Sequence, residues 1–188
     1  MGGIRRAACP EGSERYGALM PQLEFSTPIG CCRLAWNEAG LTGFWLPRAG
    51  SAEGGRQAPD AAGGETPAWI AGLIERIREH LTGRLQDFSD TPIDWTAVSE
   101  FQRGVYRETL RIRPGSVRSY GDIAGALGLG PAGARAVGVA LGSNPWPLIV
   151  PCHRVVASDG RMTGFSAPGG IRTKTRLLVL EGAELISE

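Results

Sequence analysis

The run Asn144-Pro145-Trp146-Pro147-Leu148-Ile149-Val150-Pro151-Cys152-His153-Arg154-Val155 sets a cysteine beside one of the chain's two histidines. A thiol with a base close by is the material of nucleophilic catalysis. Thiolate is the attacking form, and His153, Arg154 or a helix N-terminus could lower the pKa of Cys152. Sequence neighbours do not face each other on a helix, so contact between Cys152 and His153 requires a turn or one bridging water. A third group should orient the imidazole, most simply a carboxylate. Glu181 is the candidate, because it closes the helical pattern Ile171, Lys174, Leu177, Leu178 just before Gly182. The bland alternative is that Cys152 is a small buried hydrophobe.

A helical hairpin pattern precedes this run. Ser119-Tyr120-Gly121-Asp122 has capping-box form, with Asp for the usual Glu. Ile123, Ala124 and Leu127 give a short helix face, 128–130 a turn, and Pro131 suits the first turn of a second helix carrying Ala134, Val137, Gly138 and Leu141. Two short helices joined this tightly are a DNA-binding pattern. Arg135 sits among Gly133, Ala134, Ala136 and Gly138. Small residues would let this helix approach a groove while one long cation reaches in, although a lone Arg is commonly a solvated charge. Tyr120 is either a core aromatic or a phenol donor to a base, and Asn144 ends the second helix in the place of a C-cap.

Composition sets the limits. The 188 residues fit one large domain or two small ones. Acidic residues outnumber basic ones by 13 to 9 over 1–100, whereas basic residues lead by 11 to 6 over 101–188. All basic residues but Lys174 are Arg, which suits bidentate phosphate contacts. No apolar run is long enough to span a bilayer, and Met1–Pro10 shows no apolar signal region. Four cysteines, Cys9, Cys31, Cys32 and Cys152, are too few for a disulfide scaffold, so a cytoplasmic chain with reduced thiols is expected. Cys31-Cys32 lacks metal-ligand spacing, with Cys9 and His80 distant in sequence, so no metal is expected. Gly128–Pro131 lacks the Lys-Ser/Thr of a phosphate loop, and no cofactor is expected.

The elements needed to hold these residues follow from periodicity. Residues 1–20 read as loosely ordered. Leu23 to Leu46 reads as a strand meander turning at Asn37–Gly40, and 48–67 as a flexible loop. Trp69, Ile70, Leu73, Ile74, Ile77 and Leu81 form an amphipathic helix that ends near Gly83. Asp90–Trp95 is a connector. Phe101, Val105, Thr109 and Ile112 mark one face of a further helix, stopped at Pro114-Gly115. The apolar stretch before Cys152 reads as a proline-bounded strand.

The ordered motifs Phe101-Gln102, Ser119-Tyr120-Gly121-Asp122-Ile123-Ala124, Arg135-Ala136-Val137-Gly138, Asn144-Pro145, Pro151-Cys152-His153-Arg154-Val155, Gly164-Phe165-Ser166, Gly169-Gly170, Lys174 and Leu177-Leu178 leading to Glu181-Gly182 resemble the O6-alkylguanine-DNA alkyltransferases over roughly residues 95–185. The resemblance implies an α+β protein. Its parts would be a ribonuclease-H-like α/β domain over 21–96 and a helical, winged helix-turn-helix domain over 97–188 that carries the alkyl acceptor. It implies direct-reversal repair of double-stranded DNA: Cys152 takes the alkyl group from O6 of guanine, irreversibly and once, with thymine O4 left open. Activation would run Glu181, His153, water, Cys152, while Asn144 holds the turn. Tyr120 would donate toward guanine N3, and Arg135 would fill the space of the flipped base. Ser119, Gly133, Ala134, Ala136 and Gly138 would meet DNA in the minor groove. Leu141, Pro147, Val155, Phe165 and Ser166 would line the base pocket. A monomer is implied, with no membrane and no obligate protein partner. Phe165 stands where many relatives have Tyr, Tyr106 replaces a commoner Trp as packing, and Ala167-Pro168 looks like an insertion in the pocket lid. Three other readings remain open: a non-catalytic binder of alkylated DNA, a thiol hydrolase on Cys152, His153 and Glu181, and a plain helix-turn-helix regulator.

Overall fold

The computed structural model describes residues 20–48, 66–130 and 132–183. The expected loose N-terminus, most of the expected loop over 48–67, Cys9 and Pro131 lie outside the described residues. The chain is mixed α/β, with small sheets and helices. Strands β1 (Gln22–Thr27), β2 (Gly30–Asn37) and β3 (Gly40–Trp45) form an antiparallel meander in sequential order. Alternation puts Leu23, Phe25, Cys32, Leu34 and Phe44 inward. Asn37 makes the second turn by accepting both the Ala39 and Gly40 amides on its side-chain oxygen. Helix α1 (Ala68–His80) lays Ile70, Leu73, Ile74, Ile77 and His80 against this sheet and the core.

The connector carries more structure than its sequence shows. Leu41 pairs with Ile93, and Asp94 caps a 3-10 turn at Trp95–Ala97. Helix α2 (Glu100–Leu110) starts at a full capping box between Ser99 and Gln102. Its inward face is Val105, Tyr106 and Thr109, whereas Phe101, expected on that face, is 40% exposed. Phe101 lies in the first turn, beyond the edge of the core. Tyr106 is fully buried and donates to the Ala140 carbonyl at 2.8 Å.

Strand β4 (Arg118–Ser119) runs directly into α3 (Tyr120–Ala126), and α4 (Gly133–Gly142) follows. The Ser119–Asp122 capping box is complete, each side chain bonding the other's backbone amide. Strand β4 pairs in parallel with β5 (Val155–Val156), a two-residue ladder that periodicity did not reveal. Helix α5 (Ile171–Leu180) buries Lys174, Leu177 and Leu178 and ends at Glu181, with Gly182 left-handed at φ 64°.

The expected strand before Cys152 does not form. Pro145, Pro147 and Pro151 lack the amides a ladder needs. The segment is instead a tight turn with a Pro147–Val150 bridge and Leu148 at φ 80°. Trp146 anchors the turn. It is fully buried, sits edge-on to Trp95 and Tyr106, and donates from Nε1 to the Leu41 carbonyl at 2.9 Å. The Phe44 amide likewise donates to the Pro145 carbonyl. One continuous core thus runs from the meander to α5.

Candidate active site

Cys152, His153 and Arg154 form a single 3-10 turn between the Trp146 turn and β5. All three are buried. Asn144 is not the helix cap expected; Ser143 is. The Asn144 side chain instead ties the turn to the thiol. Its Oδ1 accepts the Trp146 amide, and its Nδ2 donates to the Val150 carbonyl at 2.9 Å and to Cys152 Sγ at 3.2 Å.

The lowering that neighbours of Cys152 could supply does not prevail. Burial pushes the Cys152 thiol up, and the Asn144 hydrogen bond and the Lys174 charge oppose it without overcoming it. Arg154 supplies no such help, because its guanidinium grips Glu181. Nε donates to Oε2 at 2.9 Å, Nη2 to Oε1 at 2.8 Å, and Nη1 to the Ile112 carbonyl. Lys174 is the cation that acts on Cys152. It is buried on α5, and its Nζ donates to the Val155 carbonyl at 2.6 Å and lies 5.8 Å from the Tyr120 ring.

His153 Nε2 meets Glu181 Oε1 at 3.0 Å. Its other nitrogen, Nδ1, is buried with no hydrogen-bond partner among the described residues. Burial holds the imidazole below its ordinary pKa, against the pull of Glu181. Burial also pushes the Glu181 carboxyl up, but hydrogen bonds from His153, His80 and Arg154 outweigh it and hold the group well below the carboxylate range. The ground state is therefore a neutral thiol, a neutral imidazole whose Nδ1 is unbonded among the described residues, and an ionised Glu181 paired with Arg154.

The hairpin residues fall into two groups. Arg135 and Ala136 are exposed on α4, with Ala134, Gly133 and Gly138 half-buried. Gly133 is small for packing: a Cβ there would lie 2.5 Å from Leu129 Cβ and 3.1 Å from Ala124 Cβ. At Gly138 a Cβ would reach only ordinary contact with the Tyr120 ring. The Ser119 hydroxyl is committed to its cap. Tyr120 is half-buried and donates to the Thr163 carbonyl at 3.0 Å; burial raises its phenol pKa. Leu141, Pro147 and Val155 are buried, whereas Phe165 is half-buried and Ser166 exposed. A groove of about 580 Å³ between α2 and α4 is lined by Phe101, Arg135, Ala136 and the exposed Val139, with Cys152 not in its wall.

Three participants escaped the sequence reading: His80, Arg154 as the partner of Glu181, and Lys174. The signal for His80 was available. It continues the buried stripe Ile70, Leu73, Ile77 at helical spacing, where an imidazole must find a partner. Among the described residues no group of three His, Cys, Asp or Glu side chains could hold a metal ion.

Fold and site together define a protein with a buried thiol, a sequence-adjacent imidazole held by a buried carboxylate, and an exposed arginine on a helical hairpin. Residues 100–183 match the model of the 6-O-methylguanine DNA methyltransferase DNA-binding domain. The chain is 44% identical over 117 residues to the methylated-DNA–protein-cysteine methyltransferase of Mycolicibacterium paratuberculosis, covering 62% of this chain and 68% of that one. A relative of the same name from Metallosphaera sedula is 44% identical over 114 residues, 61% of this chain and 69% of that one. The structure resembles Mycobacterium tuberculosis OGT in complex with DNA, with a TM-score of 0.68, 35% identity and coverage of 85% and 92%. The O6-methylguanine-DNA methyltransferase of Pyrococcus kodakaraensis matches at 0.61 and 25% identity, covering 88% and 100%. The chain belongs to the methylated-DNA–protein-cysteine methyltransferase family.

Proposed function

We infer that this chain repairs alkylated double-stranded DNA by direct reversal, moving the alkyl group from guanine O6 to Cys152 once and irreversibly. The observation that carries this reading is the buried Cys152-His153 pair with His153 Nε2 held by Glu181 and Nδ1 unbonded among the described residues. In the reaction an S–C bond forms as the C–O6 bond breaks. The thiol proton moves to His153 Nδ1, directly or through one water, and Glu181 stabilises the imidazolium. The leaving guanine takes a proton at N3 from Tyr120; the phenolate then regains a proton from solvent as the imidazolium gives its proton to solvent, so the thiol proton is in effect passed to guanine. General acid–base assistance of this kind contributes on the order of 10²–10⁴ in rate. A high thiol pKa suits this course: thiolate forms only as the alkyl carbon is attacked, so the sulfur stays inert toward other electrophiles.

A base inside a duplex is out of reach of a buried sulfur, so the nucleotide must rotate out. Arg135, exposed at the start of α4, would take its place, while Ala134, Ala136 and Gly138 allow close approach to the minor groove. Phe165, Ser166 and the backbone at Val155 would border the extruded base. The meander with α1 supports a ribonuclease-H-like domain over 21–96. The α2–α4 helices with the β4–β5 pairing support a winged helix-turn-helix domain over 97–188. No helix of the described residues is long and apolar enough to cross a membrane, and a cytoplasmic site of action fits a DNA substrate.

The test is intact mass after stoichiometric exposure to O6-methylguanine duplex. The expected outcome is a gain of one methyl group, mapped to Cys152 and absent in Cys152→Ala, which still binds the duplex. Lesion binding with no change of mass would leave a binding protein and overturn the reading.

A further inference from the structure

We propose that His80, on α1, is a positioning residue for alkyl transfer: its Nε2–H fixes the carboxylate that orients His153. This rests on the alkyl-transfer reading above. His80 and Glu181 are 101 residues apart, yet His80 Nε2 lies 2.9 Å from Oε1, the same oxygen that His153 Nε2 meets at 3.0 Å. The tautomer follows from the other side of the ring. His80 Nδ1 accepts the Gln86 backbone amide at 3.1 Å, so the ring's proton sits on Nε2 and is donated to Glu181. His80 is fully buried, and its ring packs at 5.3 Å from Phe88. The segment after α1 therefore holds the imidazole at Nδ1 and on one face, leaving Nε2 for Glu181.

Glu181 is clamped from three elements. Arg154 forks onto both oxygens from the 3-10 turn, His80 reaches Oε1 from α1, and the Gly115 amide approaches Oε2 at 3.5 Å from the turn after α2. Arg154, itself tied to the Ile112 carbonyl, holds the carboxylate from one side. The second imidazole pins Oε1 where His153 needs its acceptor. The charged groups that act on His153 are Glu181 and Arg154; Arg154 in turn acts on Asp87, and Lys174 acts on Cys152. The helix that leads out of the N-terminal sheet thus completes the machinery of the C-terminal thiol.

His80→Phe keeps a ring against Phe88 and removes the donor, whereas His80→Gln retains an N–H. Single-turnover transfer is followed against pH with the full chain. We expect His80→Phe to be slower by about tenfold at neutral pH, a fraction of what a general base supplies. Its acid limb should move upward, because a carboxylate with one fewer donor holds protonated His153 more firmly. His80→Gln should recover most of the rate and the limb, and duplex affinity should be unchanged in both. A folded His80→Phe with the parent rate and limb overturns the proposal, as do two equally slow variants with unmoved limbs. An inactive parent chain defeats the functional reading instead. The ¹⁵N titration of His153 in parent and His80→Phe still tests the placement, which an unmoved titration refutes.

Discussion

Cys152 and Tyr120 both have pKa values raised by burial, and each serves its proposed role for that reason. A protonated thiol waits for an electrophile that can be held beside it, and a protonated phenol can deliver its hydrogen to a base edge. Tyr120 must first leave the Thr163 carbonyl, a neutral hydrogen bond at a partly exposed site. Tyr120→Phe should therefore cost about 1 kcal/mol of stability while slowing transfer on the order of 10². Single-turnover kinetics beside a denaturant melt separates the two effects. An unchanged rate would place Tyr120 among the packing residues.

At the scale of elements, the hairpin divides its small residues between folding and DNA. Gly133 faces Leu129 and Ala124 across the α3–α4 turn, with no room for a methyl group. Gly133→Ala should lower stability by about 1–3 kcal/mol through overpacking. Gly138 has ordinary clearance from Tyr120, and Ala there should add up to about 1 kcal/mol of helix preference. Urea midpoints of the two variants should move in opposite directions. Duplex affinity should fall in Gly138→Ala despite its greater stability, since the added methyl stands on the face proposed to enter the groove.

The molecule as a whole buries groups that titrate on both sides of neutrality. The His153 pKa is lowered from 6.5, so its contribution is complete above that value and is lost as pH falls through the folded pKa. Glu181, lowered from 4.5, adds a second loss below that value. Cys152 and Cys32 are raised from 9.0, Cys32 to about 12; their contribution is complete below 9.0 and is lost as pH rises above it. The melting temperature should be highest between about pH 6.5 and 9.0 and fall on either side. Cys152→Ala should flatten part of the alkaline fall and leave the acid side intact. Scanning calorimetry across this range checks it, and an identical alkaline limb in the variant would contradict the burial of the Cys152 thiol.

The local alphabet of this chain settled its elements wherever one surface of an element meets one environment. Alternation from Leu23 to Leu46 gave the meander, the spacing of Ile70, Leu73, Ile74 and Ile77 gave α1, and Ser119 with Asp122 marked the start of α3. The succession Pro151-Cys152-His153-Arg154 with Glu181 likewise carried the family resemblance and named the groups that meet. Tertiary structure decided what those groups do to one another. Burial, which has no signature in a single residue type, keeps Cys152 a thiol despite its cationic neighbours. Three prolines turned an apolar run into a corner, and the anchor of that corner, Trp146 on the Leu41 carbonyl, comes from a distant strand. Arg154 faces Glu181 rather than Cys152, and His80 arrives from 101 residues away. Such contacts depend on which faces pack together, and that is a property of the folded chain rather than of any window of its sequence.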